Sequence, residues 1–413
     1  MFFSATITSR SSTSIISRLS QIKAQHASKP HVLLFALSSP TPSDSSKSEL
    51  SALVDTLLTF SSSSESVGCL SAPLIPGSIS CSIALFDPQN VVTFRSTIAG
   101  KEKVQVGRWH ALRKRYDTIQ HGENMELDTM EKALSNGGPV DWDNLWKAKT
   151  KETRGLLPRG LTSYLNSPTR ANGESSVLYF SDLSPEGLSS SIPEAFPRAN
   201  QLGLLASSTP FVTGRPVTLF HNQEIYDTGA VGVAFENSKP MGFALPRDVE
   251  PLGEALSVTD SEGNLINTLN SSNPTQLLLS CIRAAGIDAA SYETEFLLGV
   301  LPRTGSLSYQ LHAITAGDPS RGTLSLNAQT MAPVVGSRVQ FYHRIRKPET
   351  SSLLSPGSSM SFTVVSPEHS SSERSELVLE NRFVAASDNG FVLGRTGETP
   401  WSCIVPGCVS QIK

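Results

Sequence analysis

The chain has 413 residues and a formal net charge of −3, so whole-chain charge gives no pull toward nucleic acid and the length predicts more than one simple core. Apolar residues make up 38% and charged residues 17%, enough for a core but one interrupted by Ser-, Thr-, Gly- and Pro-bearing connections. No run of about 18 apolar residues occurs, which excludes a helix that spans a membrane.

Residues 1–43 carry Arg10, Arg18, Lys23 and Lys29 and no acid; the first carboxylate is Asp44. An acid-free, Ser-rich, Arg-bearing start predicts a mitochondrial targeting segment, placed at residues 1–11, with a cytoplasmic chain as the alternative. Ile15, Ile16, Leu19 and Ile22 then share one side of a helical pattern, with Ser14 as its expected N-cap. Val32 to Leu37 is an unbroken apolar run, as in a strand buried on both faces. Leu50, Leu53, Val54, Leu57 and Leu58 mark an amphipathic helix, and Ser46 with Glu49 has capping-box spacing. Val67-Gly68-Cys69 opens the next element. Ile79, Cys81, Ile83 and Leu85 alternate as a strand, Asp87 to Asn90 turns, and Val91 to Ile98 returns.

Residues 101–150 differ in character. Lys101, Lys103, Arg108, Arg113, Lys114 and Arg115 precede Glu123, Glu126, Asp128 and Glu131, with Trp109, Trp142 and Trp146 interleaved. This predicts solvated helix faces inserted into the core, and a surface for a protein partner rather than for nucleic acid. Val177 to Phe180 resumes as a buried strand. A loop at Gly187 to Ser191 and a short helix at Ile192 to Phe196 are expected next. Gln201 to Ala206 leads into Ser207-Ser208-Thr209-Pro210, and Val217 to Phe220 and Val231 to Phe235 read as strands.

Past residue 239, Pro274 opens a helix carrying Leu277, Leu278, Cys281 and Ile282, closed by Gly286. Strands are expected at Phe296 to Leu301, Leu311 to Ile314, Leu324 to Leu326, Val339 to Tyr342, Ser375 to Val378 and Phe391 to Arg395. The whole predicts an α/β fold of mixed α+β type: two fused halves, 12–238 and 239–413, each a twisted β-sheet flanked by helices.

No reaction announces itself. Five cysteines form no secreted disulfide framework, and the Cys403/Cys408 pair lacks the further ligands that a closed zinc site needs. The eight histidines are scattered, and neither a phosphate-cradling loop nor a dinucleotide fingerprint occurs, so no metal or cofactor is expected. Cys69 follows Gly68 at an expected strand end. A thiol there could attack a carbonyl if a base activated it, but no histidine partner is visible and a small residue beside a turn is the plainer reading. The hydroxyls of Ser207, Ser208 and Thr209 could hold a carboxylate or carbonyl ligand, or cap their own turn.

Three motifs, Val67-Gly68-Cys69-Leu70-Ser71-Ala72, Gly229-Ala230-Val231-Gly232-Val233 and Gly336-Ser337-Arg338-Val339-Gln340-Phe341, occur in an order that resembles the FIST proteins. The first two, with Gly203, are similar to FIST-N. Val258, Thr259, Gly263, Asn264, Ile266 and Pro274, then Gly336 to Phe341, are similar to FIST-C. The resemblance implies a small-ligand sensing module, here stand-alone, since residues 1–30 show no F-box pattern. It implies a small polar metabolite such as an amino acid, bound in a cleft lined by Cys69, Ser71, Gly203, Ser207 and Thr209. A thiol-dependent enzyme in that cleft and a protein-interaction scaffold are the alternatives.

Overall fold

The computed structural model describes residues 1–39, 46–60, 65–98, 157–166, 175–236, 241–287, 294–302, 310–318, 322–327, 331–345, 359–366 and 376–412. The charged insertion expected at residues 101–150 lies outside them. Among the described residues, strands are numbered β1–β23 and helices α1–α6 in chain order.

The unbroken apolar run at residues 32–37 becomes the centre of a seven-stranded sheet. Its order is β19 (Glu376–Glu380), β1 (Phe3–Ser9), β4 (Ile79–Phe86), β2 (Val32–Ser38), β3 (Ser66–Ser71), β8 (Leu219–His221) and β9 (Glu224–Tyr226). The second sheet has six strands: β22 (Trp401–Cys403), β21 (Phe391–Gly394), β7 (Ala199–Leu205), β6 (Ser175–Ser181), β10 (Ala230–Glu236) and β5 (Val91–Ser96). β2–β3 and β6–β7 are parallel pairs, and β4 and β10 run antiparallel to β2 and β6.

Helices α1 (Ser12–His26) and α2 (Ser46–Leu58) bury Ile15, Leu19, Leu53 and Leu57 against Ile7, Phe35 and Ile83 on the outer face of the first sheet. Helices α3 (Arg159–Leu165) and α4 (Glu186–Ala195) bury Leu161, Leu188 and Ile192 against Tyr179 and Ala234 on the second. The inner faces meet through Leu34, Val67, Cys69, Leu178, Phe180, Leu204 and Val231. The result is a four-layer helix–sheet–sheet–helix sandwich, the mixed α+β class expected. α1 is capped by Ser11, whose hydroxyl accepts the Ser14 N–H, so the cap lies three residues before the expected Ser14. The stretch expected as a loop at residues 187–191 is helical. Leu188 and Ile192 share its buried side, and Ser191 satisfies its hydroxyl on the Gly187 carbonyl within the helix.

Both sheets repeat one arrangement. The order β1-β4-β2-β3-β8-β9 in the first corresponds to β5-β10-β6-β7-β21-β22 in the second. The register agrees in detail. Phe35 of β2 pairs with Gly68 of β3, and Tyr179 of β6 pairs with Gly203 of β7. In each case the ring covers the glycine: a Cβ on Gly68 would stand 2.4 Å from Cζ of Phe35, and one on Gly203 would stand 2.3 Å from Cε2 of Tyr179. Beyond each glycine strand sits an antiparallel hairpin, β8–β9 or β21–β22.

After residue 240 the strands close on themselves. β12 (Val249–Glu262), β13 (Leu265–Leu269), β16 (Thr323–Leu326), β15 (Gln310–Asp318), β14 (Thr294–Leu301) and β17 (Arg338–Ile345) form a barrel. Leu278 and Ile282 of α6 (Pro274–Ala284) pack with Ile266, Leu298 and Phe341 of the barrel. A four-stranded sheet, β11 (Met241–Ala244), β23 (Val409–Ile412), β18 (Ser359–Val364) and β20 (Arg382–Ser387), returns the C-terminal segment to the sandwich.

The contact of β20 with the first sheet explains a row of buried hydroxyls. Thr6 donates to the Arg382 carbonyl and accepts the Val384 N–H, and Ser82 donates to the Val384 carbonyl. Thr6 and Ser82 are therefore polar where they satisfy the backbone of a strand lying across the sheet, and Thr8 pairs with Ser80 beside them. Barrel and C-terminal segment are tied by Arg344 of β17, which is 6% exposed. Its Nε lies 2.9 Å from Asp248, its Nη1 lies 3.4 Å from Glu295, and its Nη2 donates to the Pro406 carbonyl.

Candidate functional site

The strand β3 ends where two later segments of chain converge on it. The Leu70 N–H donates to the Thr218 carbonyl at 2.9 Å, and the Leu70 carbonyl accepts the Ser207 N–H at 3.1 Å. Ser71 is the last residue of β3, paired with Ser38 at the end of β2. Ser207 follows β7 by two residues. Thr209 precedes the single helical turn α5 (Pro210–Thr213). Ser71, Ser207 and Thr209 are thereby gathered around the Leu70 peptide by a parallel strand end, a crossover and a turn.

The hydroxyls differ in what they do. Thr209 Oγ1 donates to the Arg215 carbonyl at 3.1 Å and lies 2.8 Å from Thr218 Oγ1. Thr213 Oγ1 lies 2.9 Å from Thr218 Oγ1 and 3.2 Å from Thr209 Oγ1. These three threonines close the turn on itself. Ser207 is different: it is 7% exposed, and its Oγ is buried without a hydrogen-bond partner among the described residues. A buried hydroxyl in that condition carries a desolvation cost of about 1–3 kcal/mol until something pairs with it.

The internal repeat supplies a comparison. At the matching end of β7, Ser387 donates its hydroxyl to the Leu205 carbonyl and accepts the N–H groups of Asn389 and Gly390. Asn389 Nδ2 also donates to the Ala206 carbonyl at 2.9 Å. One strand end is sealed by the protein's own groups, while the other keeps a free hydroxyl. Sequence reasoning missed Thr213, Thr218, Ser387 and Asn389. The turn signal Ser387-Asp388-Asn389-Gly390 was visible, but nothing in sequence ties it to β7.

Cys69 and Gly203 stand apart from this group. The Cys69 side chain is fully buried in the inter-sheet core, and burial pushes its thiol well above the ordinary value. A nucleophilic thiol needs the opposite shift. Gly203 is the position covered by the Tyr179 ring, on the outer face of the second sheet. Its lack of a side chain is used in packing. No group of three or more His, Cys, Asp or Glu among the described residues is arranged to hold a metal ion. No helix among the described residues is long and apolar enough to cross a membrane.

A concavity lies on the barrel. This open groove of about 690 Å³ is lined by Glu250, Glu254, Ser280, Cys281, Ala284 and His343 among others, and by none of the five residues expected from sequence.

No curated relative matches the sequence. A family model, the FIST N domain, matches residues 31–272, more than half of the chain, from β2 to the first hairpin of the barrel, including β2, β3, β4, β8 and β9 of the first sheet and β5, β6, β7 and β10 of the second. FIST domains are a sensory, ligand-binding family. By that match, and with the glycine-bearing strands β3 and β7 and the Gly229–Val233 strand all inside it, the chain belongs to the FIST family.

Proposed function

We propose that this chain senses a small polar metabolite, such as an amino acid, at the end of β3, with Ser71 and Ser207 as contacts. One observation carries the reading: Ser207 Oγ is buried and unpaired while its counterpart in the repeat, Ser387, is fully engaged. A carboxylate or carbonyl oxygen of a ligand would accept from Ser207 and remove the desolvation cost. Thr209 holds the turn rather than the ligand in this reading, Gly203 holds the sheet, and Cys69 fills the core behind the site.

The test is a thermal-shift screen of an amino-acid panel, repeated on Ser207→Val and Cys69→Ala. A ligand at 100 times its Kd stabilises the native state by about 2.7 kcal/mol. The reading expects that shift in the wild type and in Cys69→Ala, and its loss in a folded Ser207→Val. A hit that stabilises Ser207→Val as strongly as the wild type places the ligand elsewhere.

The same reading takes the region from about residue 239 as a FIST-C-like half. It assigns a protein partner to the charged residues 101–150 as the route by which ligand binding is passed on. It also takes the acid-free start as an address for mitochondria. Deleting residues 101–150 and seeking loss of a captured partner tests the second. Imaging a C-terminally tagged chain tests the third, and a purely cytosolic signal refutes it.

A further inference from the structure

The barrel groove has a chemistry that the strand-end site lacks. Its floor and one wall are aliphatic, formed by Pro251, Leu252, Ala284, Ala285 and Ile287. Its polar side chains are nearly all acceptors. Glu250 and Glu254 carry negative charge at the rim, and no Lys or Arg is among the described residues that line the groove. The Ser280 hydroxyl commits its proton to the Gln276 carbonyl at 2.8 Å, which leaves only lone pairs facing outward. His343 directs Nε2 toward Glu250 at 3.7 Å, and its Nδ1 is buried without a partner among the described residues.

The shape follows from a break in β12. Its pairing with β17 shifts between Leu252 and Leu256, and the intervening backbone bulges outward. Gly253 sits at φ +73° in the bulge, where a Cβ would stand 2.6 Å from Cys281 Sγ of α6. Gln340 Nε2 donates to the Gly253 carbonyl at 2.8 Å and pins the bulge in place. The groove is thus a fixed feature of the barrel wall, with α6 as its opposite side.

We propose that this groove binds an aliphatic polyamine. A ligand here must bring its own donors and positive charge, because the lining side chains supply neither, and it must bring methylenes to cover the aliphatic wall. A chain of ammonium groups separated by short alkyl links meets both demands, with its charges on Glu250 and Glu254 and its links along the aliphatic wall. The association is electrostatic at an open rim and weakens with added salt.

Cys281 provides the readout. It is partly exposed and lines the groove, whereas Cys69, Cys81, Cys403 and Cys408 are buried. Iodoacetamide labelling of the folded chain at alkaline pH therefore reports on Cys281, and spermidine is the probe. Spermidine is expected to slow labelling in the wild type. In the Glu250→Gln, Glu254→Gln double variant the concentration needed rises about tenfold, the ratio expected for losing two exposed ion pairs. Ala284→Trp, which fills the groove and leaves both carboxylates, is expected to abolish binding of spermidine measured by calorimetry. Absence of protection at about 1 mM spermidine, where even a weak site is half filled, overturns the proposal. So does equal protection in the wild type and the double variant.

Discussion

Gly203 lies under the aromatic ring of Tyr179, so close that a Cβ would stand 2.3 Å from the ring edge. The ring has nowhere to go: Tyr179 is fully buried, its hydroxyl donates to Gln201 Oε1 at 3.2 Å, and Gln201 in turn donates to the Ser189 carbonyl at 2.8 Å. Gly203→Ala should destabilise by roughly 1–3 kcal/mol or more, as overpacking of a filled core does. Gly68→Ala should cost about as much, because Phe35 covers it in the same way. Chemical denaturation of both variants checks this. Unchanged midpoints would mean that the rings move aside freely. A folded Gly203→Ala should still bind any ligand of the Ser207 site, which separates packing from recognition.

The N-terminal strand gives a second prediction. Phe3–Ser9 is hydrogen-bonded on both sides, to β4 and to β19, with Ala5 and Ile7 buried against α1. Deleting residues 1–11 opens two strand edges, removes the Ser11 cap worth about 1 kcal/mol, and uncovers apolar core. The truncated chain should lose its cooperative thermal transition. If the protein is imported into mitochondria, mass spectrometry of the mature form should still find residues 3–9.

That strand also shows what was and was not legible in the sequence. Val32 to Leu37 and Val231 to Phe235 read correctly, because strands buried on both faces are unbroken apolar runs. Ser4-Ala5-Thr6-Ile7-Thr8 read as part of a polar leader, because the Thr6 hydroxyl is consumed by the distant β20 and that of Thr8 pairs with Ser80 of β4, partners that no local signal announces. β12 was illegible for a different reason. Glu250, Pro251 and Gly253 break its alternation at the bulge, so no strand is expected where the barrel closes. At the strand-end site, Ser71, Ser207 and Thr209 were named from residue type and from the family resemblance. Which hydroxyl stays unpaired depends on contacts between residues 70, 207 and 218, which spacing cannot supply.

Arg344 is the clasp between barrel and C-terminal segment, and its removal supplies a third prediction. Arg344→Met keeps the aliphatic stem but strips the pairing from Asp248, Glu295 and the Pro406 carbonyl. The two carboxylates are partly solvated and can rehydrate, so the cost should be about 1–3 kcal/mol, below that of breaking a fully buried pair. The double variant Arg344→Met, Asp248→Asn should recover part of it. A cycle built from these variants that shows no coupling would make the ion pair incidental.

His312 supplies the pH dependence. It is 2% exposed in β15, its ring centroid lies 5.7 Å from that of Trp401, and neither ring nitrogen has a partner among the described residues. Burial alone pushes its pKa down from 6.5 to about 4. The folded state therefore holds a neutral ring while the unfolded chain protonates first. Above pH 6.5 both states are neutral and stability is undiminished; it falls as pH drops from 6.5 toward 4, where the folded ring also takes a proton. The loss across that window is on the order of 3 kcal/mol, from roughly 1.4 kcal/mol per pH unit. His312→Leu removes the titrating group at nearly the same volume and should flatten that part of the profile. Urea midpoints between pH 7 and pH 4 measure it. If the wild type and His312→Leu lose stability in parallel over that range, the acid sensitivity belongs to carboxylates elsewhere, and the buried ring at the junction of barrel and sandwich is not its source.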